Sequence, residues 1–152
     1  MASKSTIETL MDYLKDTLIP TITTANGYNF TVGTISFDHQ NPQDLAEGSF
    51  PAVFIPKVSE LCKDITNGQF QSIANVRFWG CVKKNSTTNL ITTETRKLVA
   101  DIRKCLYADP LQGNRTGYTH VTATDQDEGE LVEYSYCIID VEFSYQALYT
   151  SP

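Results

Sequence analysis

Histidine is nearly missing from this chain: 152 residues hold only His39 and His120, each isolated in sequence. A metal centre or a Cys–His nucleophilic pair needs several such groups meeting in space, with a third to orient them. Both imidazoles are therefore expected at the surface, leaving open only whether Cys62 meets His39. The eight glycines are scattered, and no Gly-x-x-x-x-Gly-Lys-Ser/Thr, Gly-x-Gly-x-x-Gly or Gly-x-Ser-x-Gly occurs. Neither a phosphate-cradling loop nor a nucleophile elbow is encoded in those forms. Four cysteines, at 62, 81, 105 and 137, match no Cys-x-x-Cys or zinc-ribbon spacing. They read as reduced thiols, mostly small core residues. The longest apolar run is Ala52-Val53-Phe54-Ile55, bracketed by Pro51 and Pro56, far short of the roughly 20 residues of a membrane-spanning helix. The opening Met-Ala-Ser-Lys-Ser-Thr is not followed by the apolar core of a secretory signal. A soluble domain without membrane partner, catalytic centre, metal or cofactor is expected.

Basic residues are also in short supply, and unevenly so. Against 18 acidic groups stand 12 basic ones, giving a formal charge of −6. Residues 1–108 carry 11 basic and 10 acidic groups, whereas residues 109–152 carry only Arg115 against eight acids. This balance argues against nonspecific binding to nucleic acid or to anionic membranes. The surplus collects on the C-terminal segment, where Asp125, Asp127, Glu128 and Glu130 cluster. These four are candidates for an acidic channel wall or partner surface. Their spacing departs from a calcium-binding loop, so a solvated tip is the plainer alternative.

Periodicity supplies the elements. Over residues 5–18, Ile7, Leu10, Met11, Leu14 and Leu18 form a helical stripe. Ser5 and Glu8 make a capping box, and Pro20 is expected to stop the helix. Tyr28, Phe30 and Val32, then Ile35 and Phe37, alternate like a strand with a bulge at Gly33. Residues 38–49 read as an exposed loop and Phe50 to Ile55 as a short strand, with Pro51 and Pro56 suiting either an edge or the strand's ends. Asn67-Gly68 is a turn signal leading into a longer strand over 70–84. In that strand Ala74, Val76, Phe78, Gly80 and Val82 share one face, and Arg77, Trp79, Cys81 and Lys83 the other. A second helix spans about 89–107, with Ile91, Thr95, Leu98, Ile102, Cys105 and Leu106 in one arc and Arg96, Lys97, Arg103 and Lys104 opposite. Strands near 117–125 and 131–148 form a hairpin with its tip at 126–130. The order α-β-β-β-α-β-β predicts one α+β domain over 1–152, a largely antiparallel sheet with two helices on one face.

Such a sheet leaves its other face uncovered. Trp79, Tyr134, Tyr136 and Ile138 point there or run out of phase with the better apolar sides, and are the candidate subunit interface. A base-stacking role for Trp79 would call for more surrounding Lys and Arg than this acidic chain offers.

Taken end to end, the pattern resembles the tail terminator (tail-completion, tail-to-head joining) proteins of long-tailed bacteriophages. The resemblance rests on the N-terminal helix from Ile7 to Leu18 and on Phe50-Pro51-Ala52-Val53-Phe54-Ile55 after a long loop. It continues through Ala74-x-Val76-x-Phe78, the helix at Leu98-x-x-x-Ile102, Asp109-Pro110-Leu111-x-Gly113, and Ile139-x-Val141-x-Phe143-x-Tyr145. It implies a structural virion protein, assembled in the host cytoplasm, that closes into a homohexameric ring. The ring would cap the tail tube, end its polymerisation and join it to the head connector or neck protein, with DNA passing through unbound. Six copies carry a formal charge of −36, a wall from which DNA slides free. The alternatives are another phage neck or head-completion protein, or a small non-viral α+β enzyme or ligand-binding domain.

Overall fold

A computed structural model of the chain describes residues 5–66, 68–84, 90–127 and 133–148. Its main elements are α1 (Thr6–Tyr13), β1 (Thr34–Ser36), β2 (Ala52–Thr66), β3 (Gln69–Lys83), α2 (Ile91–Ala108), β4 (Tyr118–Gln126) and β5 (Tyr134–Leu148). The strands form one sheet in the order β1-β2-β3-β5-β4, antiparallel except for the parallel β1–β2 pair. Since β3 and β4 both oppose β5, they run parallel to each other, and α2 makes the crossover between them. This is the α+β architecture expected, with α1 and α2 contributing to one core on the same sheet face.

The capping box at α1 forms: Glu8 N–H donates to Ser5 Oγ at 3.3 Å, and Ser5 N–H to Glu8 Oε2 at 2.9 Å. Beyond Tyr13 the helix widens into a π turn over Leu14–Leu18, and Pro20 lies within a closing 3-10 turn, Ile19–Thr21. The wider i→i+5 turn brings both Leu18 and Ile19 into the core beside Leu10 and Leu14. The arc of α2 packs as its spacing requires, with Thr95, Leu98, Ile102, Cys105 and Leu106 buried and Ile91 partly so. From the sheet come Val76 and Phe78 of β3 and Ile139, Val141 and Phe143 of β5. Each such buried side chain contributes about 1.5–3 kcal/mol. At Gly80 helix and sheet approach closely. A Cβ there would stand 2.6 Å from Cys137 Sγ and 2.8 Å from Leu98 Cδ2.

Two strand expectations need correction. Tyr28, Phe30 and Val32 are not in a strand; only Thr34–Ser36 pairs, with Ala52–Phe54. The backbone N–H groups of Asn29 and Phe30 donate instead to the carboxylate of Asp101 on α2, at 3.0 and 2.9 Å. Gly33 is not a bulge. Its N–H donates to Pro51 O, and a Cβ there would lie 2.5 Å from Gly48 O, so it lets two backbones touch. The strand expected over 50–55 extends to Thr66, because Pro56 sits in a bulge between Phe54 and Lys57. Past Phe54 the outer edge of β2 has no strand partner among the described residues, so the missing proline N–H costs no ladder bond. Gly68, at φ +81°, takes the left-handed turn position between β2 and β3. Asn67 lies outside the described residues.

Candidate functional site: the open face of the sheet

The face opposite the helices divides into an aromatic half and a polar half. Register sets the aromatic half: Ala52 pairs with Cys81 and Phe54 with Trp79 across β2–β3. Across β3–β5, Cys81 opposes Tyr136 and Trp79 opposes Ile138, and Asp125 of β4 opposes Ile138. Trp79, Tyr134, Tyr136 and Ile138 therefore do share this face, each half-buried. Ala52, Phe54 and Cys81 beneath them are fully buried.

Part of the cover comes from the segment expected to be an exposed loop. Leu45 and Phe50 pack onto this second cluster, with the Phe50 and Tyr134 ring centroids 5.7 Å apart. His39 is exposed, as expected, yet its ring lies 5.1 Å from Phe54, 5.2 Å from Trp79 and 5.9 Å from Tyr136. It is not near Cys62, whose contact is Ser72 Oγ at 3.7 Å. His120 is exposed on β4. The four thiols are free, with Cys62 exposed and the other three buried. Burial pushes the Cys81 thiol up to about 12, and the Tyr136 phenol likewise to about 12, chiefly by burial and then by Cys81 beside it.

On the β4 side of Trp79 the face stays open as a groove of about 280 Å³, lined by Trp79, Tyr136, Ile138, Asp125, Gln126 and Asp127. Trp79 and Tyr136 stand nearly perpendicular, at 83° with centroids 6.0 Å apart. The aromatic and acidic candidates thus meet in one site, which sequence alone did not join. The acids within it differ. Asp125 is exposed, and its Oδ1 accepts from the Gln126 N–H at 2.9 Å. Asp127 does not belong to a freely solvated tip: its carboxylate accepts from Ser135 Oγ at 2.9 Å and from Tyr136 N–H at 2.8 Å, clamping the hairpin. Glu128 and Glu130 lie outside the described residues.

The polar half begins at Arg77 and Asp140, a two-point ion pair at 2.8 and 3.1 Å. Beyond it lie Asn75, Glu142 and His120 in one row. Among the described residues no group of three or more His, Cys, Asp and Glu is placed to hold a metal ion, and no helix is long and apolar enough to cross a membrane. A second cavity, of about 360 Å³, opens beside Phe30, Phe50 and Val82. Its charged groups include Glu47 and Lys83, paired at 3.4 Å.

Sequence reasoning missed Asp101. Only 2% exposed, it accepts three hydrogen bonds, from Asn29 N–H, Asn29 Nδ2 and Phe30 N–H. A buried carboxylate needs such donors to offset its lost hydration. Its place inside the apolar arc of α2, one residue before Ile102, was the available signal.

The fold and this surface define a class: an α+β domain with one sheet face covered by helices and the other aromatic and acid-rimmed. No protein-family model matches the chain, and no curated protein sequence matches it.

Proposed function

We propose that this protein is a ring-forming structural component of a long-tailed bacteriophage, a tail terminator. It closes as a homohexamer on the end of the tail tube, stops tube growth and offers its other rim to the head connector. DNA passes through a lumen whose negative charge keeps it from sticking. The observation that carries the reading is the open face: half-buried Trp79, Tyr134, Tyr136 and Ile138 next to exposed Asp125. Aromatic surface of this kind, rimmed by polar groups and left by the domain's own helices, marks a subunit contact. The element order and the segments named above for the family resemblance supply the phage assignment. The acid-rich C-terminal hairpin supports a lumen that repels DNA.

Light scattering on the purified chain tests the ring. Six copies of 17.0 kDa give about 102 kDa, and a 17.0 kDa species persisting at high concentration overturns it. Adding the protein to polymerising tail-tube subunits should fix tube length; tubes of unchanged length under electron microscopy reject the terminator role.

A further inference from the structure

Building on the ring reading, we propose that the groove between Trp79, Tyr136 and Asp125 is a socket for an arginine side chain from the outer arc of α2 in a neighbouring copy. Perpendicular aromatic walls, the Ile138 floor and a carboxylate at the rim suit a guanidinium, which stacks on ring faces while pairing with an acid. At about 280 Å³ the groove lies at the small end of ligand pockets and has room for one long side chain.

The chain itself supplies the complementary surface. Most cations nearest the core are committed: Lys104 donates to Gly27 O and lies over the Tyr28 ring, Lys97 pairs with Glu94, and Arg77 with Asp140. Arg96 and Arg103 are exposed, with no hydrogen-bond or ion-pair partner among the described residues. Seven residues apart, they lie on one side of α2, about 10.5 Å along its axis. On the open face Asp140 is neutralised by Arg77 and Asp127 is engaged by Ser135 and the Tyr136 N–H, so the outward acids are Asp125, opposite Ile138, and Glu142 four residues further along β5. That separation is about 13.5 Å, within reach of two arginines spaced as these are. The arc faces away from the sheet and the socket lies on the sheet's far side. Their union is therefore head-to-tail, a heterologous contact, which closes a ring where the rotation per copy allows and otherwise runs on as a filament.

Charge exchange tests this. Asp125→Arg spoils only the socket, and Arg96→Asp with Arg103→Asp spoils only the arc. Each variant alone should lose the ring, with association weakened about tenfold or more. An equimolar mixture should regain the ring mass, because alternating copies place either two native surfaces or two exchanged charges at every contact. Trp79 is the only tryptophan, so its emission reports the socket. A blue shift on assembly is expected in the unaltered chain and should be absent in Asp125→Arg. Asp125→Asn and Arg103→Gln repeat the test with less perturbation if circular dichroism shows that a reversal misfolds. Rings that persist in the folded variants, or variants rescued by neither partner, overturn the socket while leaving the ring standing. A monomeric unaltered chain removes both. Assembly only after another protein or DNA is added assigns the groove to that partner instead.

Discussion

Two rows of side chains on β5 face opposite ways and meet different fates. Cys137, Ile139, Val141, Phe143 and Tyr145 are at most 3% exposed, whereas Tyr134, Tyr136, Ile138, Asp140 and Glu142, interleaved with them, are only half-buried. The first row lies under α1 and α2. The second is covered by the 38–50 segment at one end and otherwise open. A strand whose alternate residues were merely in and out would place polar groups in the second row. Here its first three positions are Tyr, Tyr and Ile, backed by a dry strip of Ala52, Phe54 and Cys81. One face stores folding energy; the other keeps apolar surface that the chain leaves part-covered.

The largest separation between the faces is expected from matched truncations. Phe143→Ala removes a fully buried ring from the helix-side core and should cost about 3–5 kcal/mol of unfolding free energy, a large share of the stability of a domain this size. Trp79→Ala removes a larger ring from the open face, yet that ring is half-buried. It should leave the far-ultraviolet dichroism native and stability lowered by at most about 2 kcal/mol, while shifting the assembly towards smaller species. Urea melts and light scattering on the same samples decide the matter. If Trp79→Ala unfolds as readily as Phe143→Ala, both faces are core and the interface lies elsewhere.

Sequence periodicity carried the helix-covered face well, because regular elements write their burial at fixed intervals. The α2 arc and the alternation of β3 and β5 appear in the fold as read. What failed was set by contacts distant in sequence. Tyr28, Phe30 and Val32 alternate like a strand, but Asp101, about seventy residues away, takes the donors a neighbouring strand would have used. Pro56 reads as a stop, yet it sits at a bulge on an unpaired edge. Of the candidate surface, the four candidate interface residues were legible from strand parity and Asp125 from the clustering of acids, but not that they meet in one site. The packing of His39, Leu45 and Phe50 onto it was not, since a loop's docking leaves no period. The clamp role of Asp127 also depended on the pairing of the hairpin that holds it.

A second effect, intermediate in size, isolates Asp101, the one buried charged residue among the described residues. Asp101→Ala removes three accepted hydrogen bonds and leaves the Asn29 and Phe30 donors to find water. The expected loss is about 2–3 kcal/mol, with Asp101→Asn recovering part of it. Trp79 emission should stay native, because the damage lies on the other side of the sheet. A coupled change in Trp79 would show that the faces are not independent.

The smallest expected effect concerns the two covers themselves, helices against loop, and thiols read it. Cys137 lies under the helices and Cys81 under the loop-covered aromatic cluster, and burial lifts both from 9.0 to about 12. Below pH 9 folded and unfolded chains alike hold these thiols protonated, so the contribution is fully present. Between pH 9 and 12 the unfolded chain releases its protons while the folded one keeps them, and stability falls as pH rises. Urea midpoints should therefore decline across that window, and less steeply in Cys137→Ala. At pH 8 a thiol reagent should label exposed Cys62 promptly and the other three slowly. Leu45→Ala, which thins only the loop, should cost about 1 kcal/mol and speed labelling of Cys81 while leaving Cys137 protected. Equal acceleration at both thiols would mean that loop and helices open together, and that the open face has no cover of its own.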